Sequence, residues 1–307
     1  MSALNAASLR SPTAVLIAGS MILCIAIGVR ACLGLFLQPM SLENGWGRET
    51  FSFAMAIQNL IWGLLGPFAG GIADRYGNGR VVAFCGLAYV VGLISMAFTS
   101  SPLGLHAGSG FAIGLALSGT TFACVLAVVA RVTPPEKRSA ALGIATAAGS
   151  FGQFAIVPVA QLLITSFDWQ TALLGLAAIA GLMVPLAFFT SGKAAPHPGP
   201  QQSIAEALHE AFREKGFHLL FWGYFVCGFH VAMFLVHLPS IVTDAGMTPR
   251  HGVTALALIA LFNIAGSLCA GWLGGLWSKK YLLSGIYLTR AVLITILVLL
   301  PLTPLSL

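Results

Sequence analysis

Long apolar stretches separated by short polar segments recur nine times along the chain. Their approximate limits are 13–38, 51–73, 81–100, 103–130, 139–165, 170–190, 217–240, 252–274 and 281–300. Each is close to or above the roughly 20 mostly apolar residues that a helix needs to cross a bilayer. Glycine and proline are frequent inside them, which spanning helices tolerate because neighbouring helices and side chains re-satisfy the freed backbone groups. The period-two alternation of an outer-membrane barrel strand is absent. The pattern predicts an all-α, polytopic transmembrane helix bundle.

One connection is long. Residues 191–216 open with Pro196, Pro198 and Pro200, a stiff extended segment. Ser203 and Glu206 then have the spacing of a capping box. Ile204, Ala207, Leu208, Ala211 and Phe212 follow at helical spacing on an otherwise charged segment. The expectation is a short amphipathic helix lying along the cytoplasmic membrane face, within a linker between a six-helix half (1–190) and a partial second half (217–307) of three helices.

Composition strengthens the membrane reading. Hydrophobic residues make up 58% of the 307-residue chain and charged residues 8%. A soluble domain carries about 25% charged residues, so a soluble fold this poor in charge could not cover its surface. The net charge of +6 does not point to nucleic acid, because the basic residues sit in short loops. With the N-terminus placed in the cytoplasm, eleven bases fall inside: Arg10, Arg75, Arg80, Arg131, Lys137, Arg138, Lys193, Arg213, Lys215, Lys279 and Lys280. Only Arg48 and Arg250 fall outside. This asymmetry predicts the orientation, in what is expected to be a bacterial inner membrane. The six cysteines all lie in apolar stretches without metal-ligand spacing, and read as small core residues. No nucleotide loop, paired carboxylates or His/Cys metal cluster is present, so neither an enzyme nor a resident cofactor is expected.

Small residues spaced by four, Gly110, Gly114 and Ser118 in span 4 and Gly266, Ala270 and Gly274 in span 8, predict close helix packing. All nine acids, Glu43, Glu49, Asp74, Glu136, Asp168, Glu206, Glu210, Glu214 and Asp244, lie in loops or at span ends. Two arginines lie at membrane depth, where ionisable residues are expensive and usually functional. Arg290 sits near the middle of span 9, and Arg30 lies further from the middle of span 1. A guanidinium presents paired donors that match a carboxylate, so both are candidate substrate-binding residues. Span 7 carries His230 and His237 two turns apart on one face. Histidine loads and unloads a proton near neutral pH, so these are the proton-coupling candidates, with His230 also placed toward the substrate. Gln58 and Asn59 in span 2, Gln153 in span 5 and Asn263 in span 8 are neutral donors that either line a cavity or bind a neighbouring helix.

Two loops reveal a repeat. Gly71-Ile72-Ala73-Asp74-Arg75-Tyr76-Gly77 follows span 2, and Gly271-Trp272-Leu273-Gly274 opens the corresponding segment after span 8. Parallel repeats of six helices are the plan of the major facilitator superfamily, and the first loop resembles that superfamily's Gly-x-x-x-Asp-Arg-x-Gly signature. The resemblance implies a cytoplasmic gate in which Gly71, Asp74, Arg75 and Gly77 form part of a charge cluster, with Arg131 and Arg138 as partners. Gly45-Trp46-Gly47-Arg48, Gly149-Ser150-Phe151-Gly152-Gln153 with Pro158, and Phe262-Asn263-Ile264-Ala265-Gly266 are similar to the oxalate/formate antiporter and monocarboxylate porter branch. Ser267 stands where that branch often carries an arginine.

The expected function is secondary active transport of a small organic anion by alternating access, with a proton or counter-anion as coupling partner and the lipid bilayer as surroundings. A monomer is expected. The repeat leads to the expectation that three spans of the second half lie beyond this chain. The competing readings are an exporter of amphipathic compounds and a non-transporting membrane remnant or sensor.

Overall fold

A computed structural model describes residues 11–191, 204–301 and 303. Among the described residues the regular structure is helical, with no strand. Nine helical stretches are long and apolar enough to cross a membrane: Pro12–Asn44, Arg48–Tyr76, Asn78–Phe98, Pro102–Val132, Pro135–Ser166, Trp169–Ala187, Lys215–Phe234, Arg250–Leu276 and Lys279–Leu299. They are spans 1 to 9 below, and they fall where the hydropathy pattern places them.

Local chemistry sets the ends of these helices. Ser11 accepts a hydrogen bond from the Ala14 amide, and Pro12 starts span 1 where its missing N–H is harmless. Gly45 ends that span at φ +68°, a left-handed conformation suited to glycine. Asp168 caps span 6 through the Thr171 amide. Pro67 and Pro158 lie inside spans 2 and 5 without ending them.

The chain forms two compact units, one comprising 1–194 with 260–277 and the other 195–259 with 278–307. In the first unit, span 1 is the central post. Five consecutive residues, Ile25 to Val29, are buried, which requires protein on every side. Span 5 approaches closest: a Cβ on Gly28 would sit 2.6 Å from the Gly152 carbonyl oxygen, and a Cβ on Gly152 would collide with the Cys24 carbonyl. The Gly149–Gln153 motif is therefore a backbone-to-backbone contact with span 1. Span 3 adds Tyr89, fully buried, whose hydroxyl donates to the Ala26 carbonyl at 3.0 Å. Glu43 at the far end of span 1 accepts from Gln170 at 3.1 Å and from the Trp169 indole, tying spans 1 and 6.

Span 4 is discontinuous. A π-helical segment, His106–Ala112, is followed by α-helix Ile113–Thr120, a break at Thr121, and a second α-helix Phe122–Val132. Its predicted small-residue ladder packs on span 2, where a Cβ on Gly110 would meet Ile57 at 3.0 Å and one on Gly114 would meet the Gln58 carbonyl at 2.9 Å. The ladder predicted on span 8 is displaced by one residue. Gly266 faces open space, and the contact is made by Gly271 with the Ser267 carbonyl, against Gly143 of span 5. Both stripes have the same spacing, and the glycine on span 5 selects between them.

In the second unit, Leu238, Val242 and Ala255 form a small core with Phe234, Met247 and Leu256 around the turn at Gly246, φ +78°. The Tyr287 hydroxyl donates to the Gly223 carbonyl at 2.6 Å, joining spans 7 and 9. A helix at Ile204–Arg213 stands where the amphipathic segment is expected. Pro196, Pro198, Pro200 and Ser203 of the linker, with Arg10 and Lys193 of the charge count, lie outside the described residues, as do the side chains of Ile204, Ala207 and Leu208. The cysteines carry free thiols; Cys32, Cys85 and Cys124 are core residues as expected, but Cys269 is exposed. A small apolar thiol on the outer face of a spanning helix needs no protein core.

Candidate functional site

Arg30 is held by its neighbours in a defined pose. It follows Gly28 by two residues, so the close contact of spans 1 and 5 fixes where its backbone lies. Its Nη2 donates to the Asn59 Oδ1 of span 2 at 2.7 Å. The Asn59 amide nitrogen donates to the Met55 carbonyl at 2.8 Å, which turns the oxygen toward the guanidinium. One turn further, Trp62 lies under the guanidinium with its ring centroid 4.9 Å from Cζ. The Trp62 indole N–H donates to the Thr121 hydroxyl at 2.9 Å, and that hydroxyl donates to the Leu117 carbonyl at 2.6 Å. Three spans thus converge on one cation.

The electrostatics of this cluster are unbalanced. An asparagine oxygen and an indole face are dipole and quadrupole partners, and the second supplies about 0.5–2 kcal/mol. Neither cancels a charge. The ion pair found among the described residues, Arg131 with Asp74, does not include Arg30. The Arg30 Nε is buried without a hydrogen-bond partner. A half-buried guanidinium with an unused donor keeps hydrogen-bonding capacity that an anion would match.

The other predicted site residues are placed as follows. Gln58 is 1% exposed and its amide donates to the Ser109 carbonyl at 2.9 Å, so it serves the seam between spans 2 and 4. Arg290 is half-buried and donates to the Cys227 sulfur at 3.1 Å. His230 lies on the same helix face as Cys227; its Nδ1 is buried without a partner and its ring meets Phe229 edge-on. Asn263 is exposed on span 8. His237 lies in the helix Lys215–Asp244, and its side chain is outside the described residues. Trp62 and Thr121 escaped the sequence reading. The first was legible as the next step of a Met55-Asn59-Trp62 stripe, while nothing in sequence marks the break that makes Thr121 available.

At one end of the same unit lies the 71–77 corner expected to be a gate. Asp74 Oδ1 and Arg131 Nη1 are 2.8 Å apart. Arg75 sits over the Tyr76 ring at 5.6 Å. Gly77 takes φ +102°, a conformation that L side chains rarely adopt, so this turn requires its glycine. Gly71 lies in the last turns of span 2 beside this corner. Arg138 is exposed and takes no part in the Asp74 ion pair. Nearby, the Ser139 hydroxyl donates to the Gly271 carbonyl at 2.8 Å.

A bundle of helices long and apolar enough to cross a membrane, with an arginine inside it and an Asp–Arg ion pair at one end, has the make-up of polytopic membrane carriers. Residues 19–307 match the family model described as Major Facilitator Superfamily, and the chain belongs to that superfamily. It is 26% identical over 272 residues to an uncharacterized MFS-type transporter, YcxA, of Bacillus subtilis (strain 168), covering 83% of this chain and 63% of that protein. It is 26% identical over 262 residues to monocarboxylate transporter 11 of Mus musculus, covering 81% of this chain and 56% of the relative. The chain therefore spans less than two thirds of the length of these relatives. Among solved structures it resembles the proton:xylose symporter XylE, with a TM-score of 0.58 at 16% identity, covering 85% of this chain and 68% of that one. It also resembles the POT family transporter PepTSo, with a TM-score of 0.53 at 19% identity, covering 94% of this chain and 59% of that one. These two likenesses concern the fold.

Proposed function

We propose that this protein carries a small organic anion, a carboxylate, across the membrane by alternating access. The observation behind the reading is Arg30: a cation inside the bundle, oriented by Asn59 and Trp62, with no carboxylate bonded to it among the described residues. The substrate is the missing counter-charge. Monocarboxylate transporters among the relatives support the same substrate class. In this reading two helical halves, 1–190 and the part from 217 onward, rock about the substrate, and the Asp74 corner forms part of the gate. The basic loop residues support a cytoplasmic N-terminus in an inner membrane. His230, with an unpartnered ring nitrogen, is the candidate for proton coupling.

The test is counterflow. Full-length protein in proteoliposomes preloaded with pyruvate is expected to take up labelled lactate. Arg30→Gln should abolish this uptake with normal expression. Arg30→Lys should restore little of it, because an ammonium lacks the planar fork. Unchanged uptake by Arg30→Gln would remove the anion reading.

A further inference from the structure

The break in span 4 stands between the two functional parts of the bundle. On one side lies Arg30, reached through Trp62; on the other, the helix Phe122–Val132 runs from the break to Arg131, which holds Asp74. Ten residues separate Thr121 from Arg131, about 15 Å of helix at 1.5 Å per residue.

Thr121 has φ −115° and ψ −149°, outside the helical region, although it is neither glycine nor proline. In an unbroken helix the Leu117 carbonyl would accept from the Thr121 amide, four residues on. Here the Thr121 hydroxyl bonds that carbonyl at 2.6 Å, and the Trp62 indole N–H donates to the hydroxyl oxygen at 2.9 Å. The side chain thus ties the end of the helix Ile113–Thr120 to span 2 at the break. Thr121 is 1% exposed, so water does not offer a substitute partner. Thr120 and Ser118 bond to the Ala116 and Leu115 carbonyls at 2.8 and 2.7 Å, so a run of hydroxyls supports the end of the helix Ile113–Thr120. The helix beyond the break lacks a side-chain cap.

We propose that Trp62 is a positioning residue that couples occupancy of the Arg30 site to a hinge at Thr121, and through the helix Phe122–Val132 to the Arg131–Asp74 ion pair. One indole serves both ends of this link. Its face holds the guanidinium at 4.9 Å, and its edge holds the hydroxyl at the break. Anything that draws the guanidinium away from the ring shifts the indole, and a shifted indole unpairs the hydroxyl. The link consists of contacts seen in the structure, and the non-helical residue Thr121 is where the span can bend. The inference rests on the site geometry of the proposed function but does not require the ligand to be a carboxylate.

The test is hydrogen exchange of the full-length protein in detergent without added substrate, read over residues 118–131. Arg30→Gln and Trp62→Phe should each raise exchange there by about fivefold, the scale of one lost hydrogen bond. Thr121→Val, which removes the hydroxyl at nearly constant volume, should do the same. The double variant Arg30→Gln/Trp62→Phe should exchange no faster than either single variant, since both break one link. Exchange over 118–131 that is unchanged in Arg30→Gln, or strictly additive in the double variant, overturns the coupling. If Arg30→Gln does not fold, Arg30→Lys with Trp62→Phe takes its place in the same comparison. Lactate counterflow reports separately on the carboxylate reading. A protein without lactate uptake whose exchange follows the coupled pattern keeps the hinge and loses the substrate class.

Discussion

Gly143 and Gly271 pass so closely that a Cβ built on either would lie 2.8 Å from the α-carbon of the other. The contact joins the start of span 5 to the end of span 8, and Ser139 fastens it by donating to the Gly271 carbonyl at 2.8 Å. Forcing a larger side chain into such a seam destabilises it by about 1–3 kcal/mol. Gly271→Val should therefore pry this end of the two helices apart. A cysteine introduced at Ser139 should then react severalfold faster with a water-soluble maleimide than in the glycine background. Equal rates would mean that the seam relaxes without opening.

The Asp74–Arg131 pair predicts a different split. Its partners are substantially exposed, and a surface ion pair contributes about 0–1 kcal/mol to stability. Asp74→Asn should leave the unfolding temperature nearly unchanged. If the pair belongs to a gate, the same variant should slow counterflow by about tenfold, the equivalent of ~1.4 kcal/mol in a barrier, with substrate affinity retained. Counterflow at the full rate would reduce the motif to a structural corner.

Tyr89 gives a stability prediction independent of transport. Its hydroxyl is fully buried and donates to the Ala26 carbonyl of the central span at 3.0 Å. Tyr89→Phe removes the donor and leaves that carbonyl with one partner fewer. The expected loss is about 0.5–1.5 kcal/mol, read as a lower unfolding temperature in detergent, with lactate affinity unaltered. A stability equal to wild type would show that the carbonyl needs no second donor.

Much of this molecule was legible as a pattern. Nine apolar stretches correspond to nine long apolar helices among the described residues, and the pairing of Asp74 with Arg131 was readable through the loop's family resemblance, which named Arg131 and Arg138 together. Register was harder. Ser267-Gly271-Gly275 and Gly266-Ala270-Gly274 have the same period, and only the position of Gly143 on another helix distinguishes them. The Arg30 cluster was half legible. Arg30 and Asn59 announce themselves as polar groups in apolar spans, whereas Trp62 reads as one more aromatic residue until its ring is seen under the guanidinium. Thr121 was hidden, since nothing local marks the break and the indole that bonds its hydroxyl is 59 positions away.

The arginines of spans 1 and 9 lead to the last prediction, which takes the opposite order to the one that depth alone suggests. Sequence places Arg290 nearer the middle of its span. Yet the hydrogen bond of its guanidinium goes to the Cys227 sulfur, a weak acceptor. Arg30 is anchored by a carboxamide oxygen that is itself oriented by Met55, and by an aromatic face. Pre-organised donors bind with less loss of conformational freedom than mobile ones. Arg30→Gln should therefore raise the KM for lactate counterflow by about 100-fold or abolish uptake, as expected when a charged hydrogen-bond partner worth ~2–3 kcal/mol is lost. Arg290→Gln should raise it by about tenfold or less. Asn59→Leu, which removes the anchor but keeps the charge, should fall between them, because the guanidinium remains and only its aim is lost. Equal defects in Arg30→Gln and Arg290→Gln would mean that both arginines hold the anion. A larger defect in Arg290→Gln would move the primary site to the second unit.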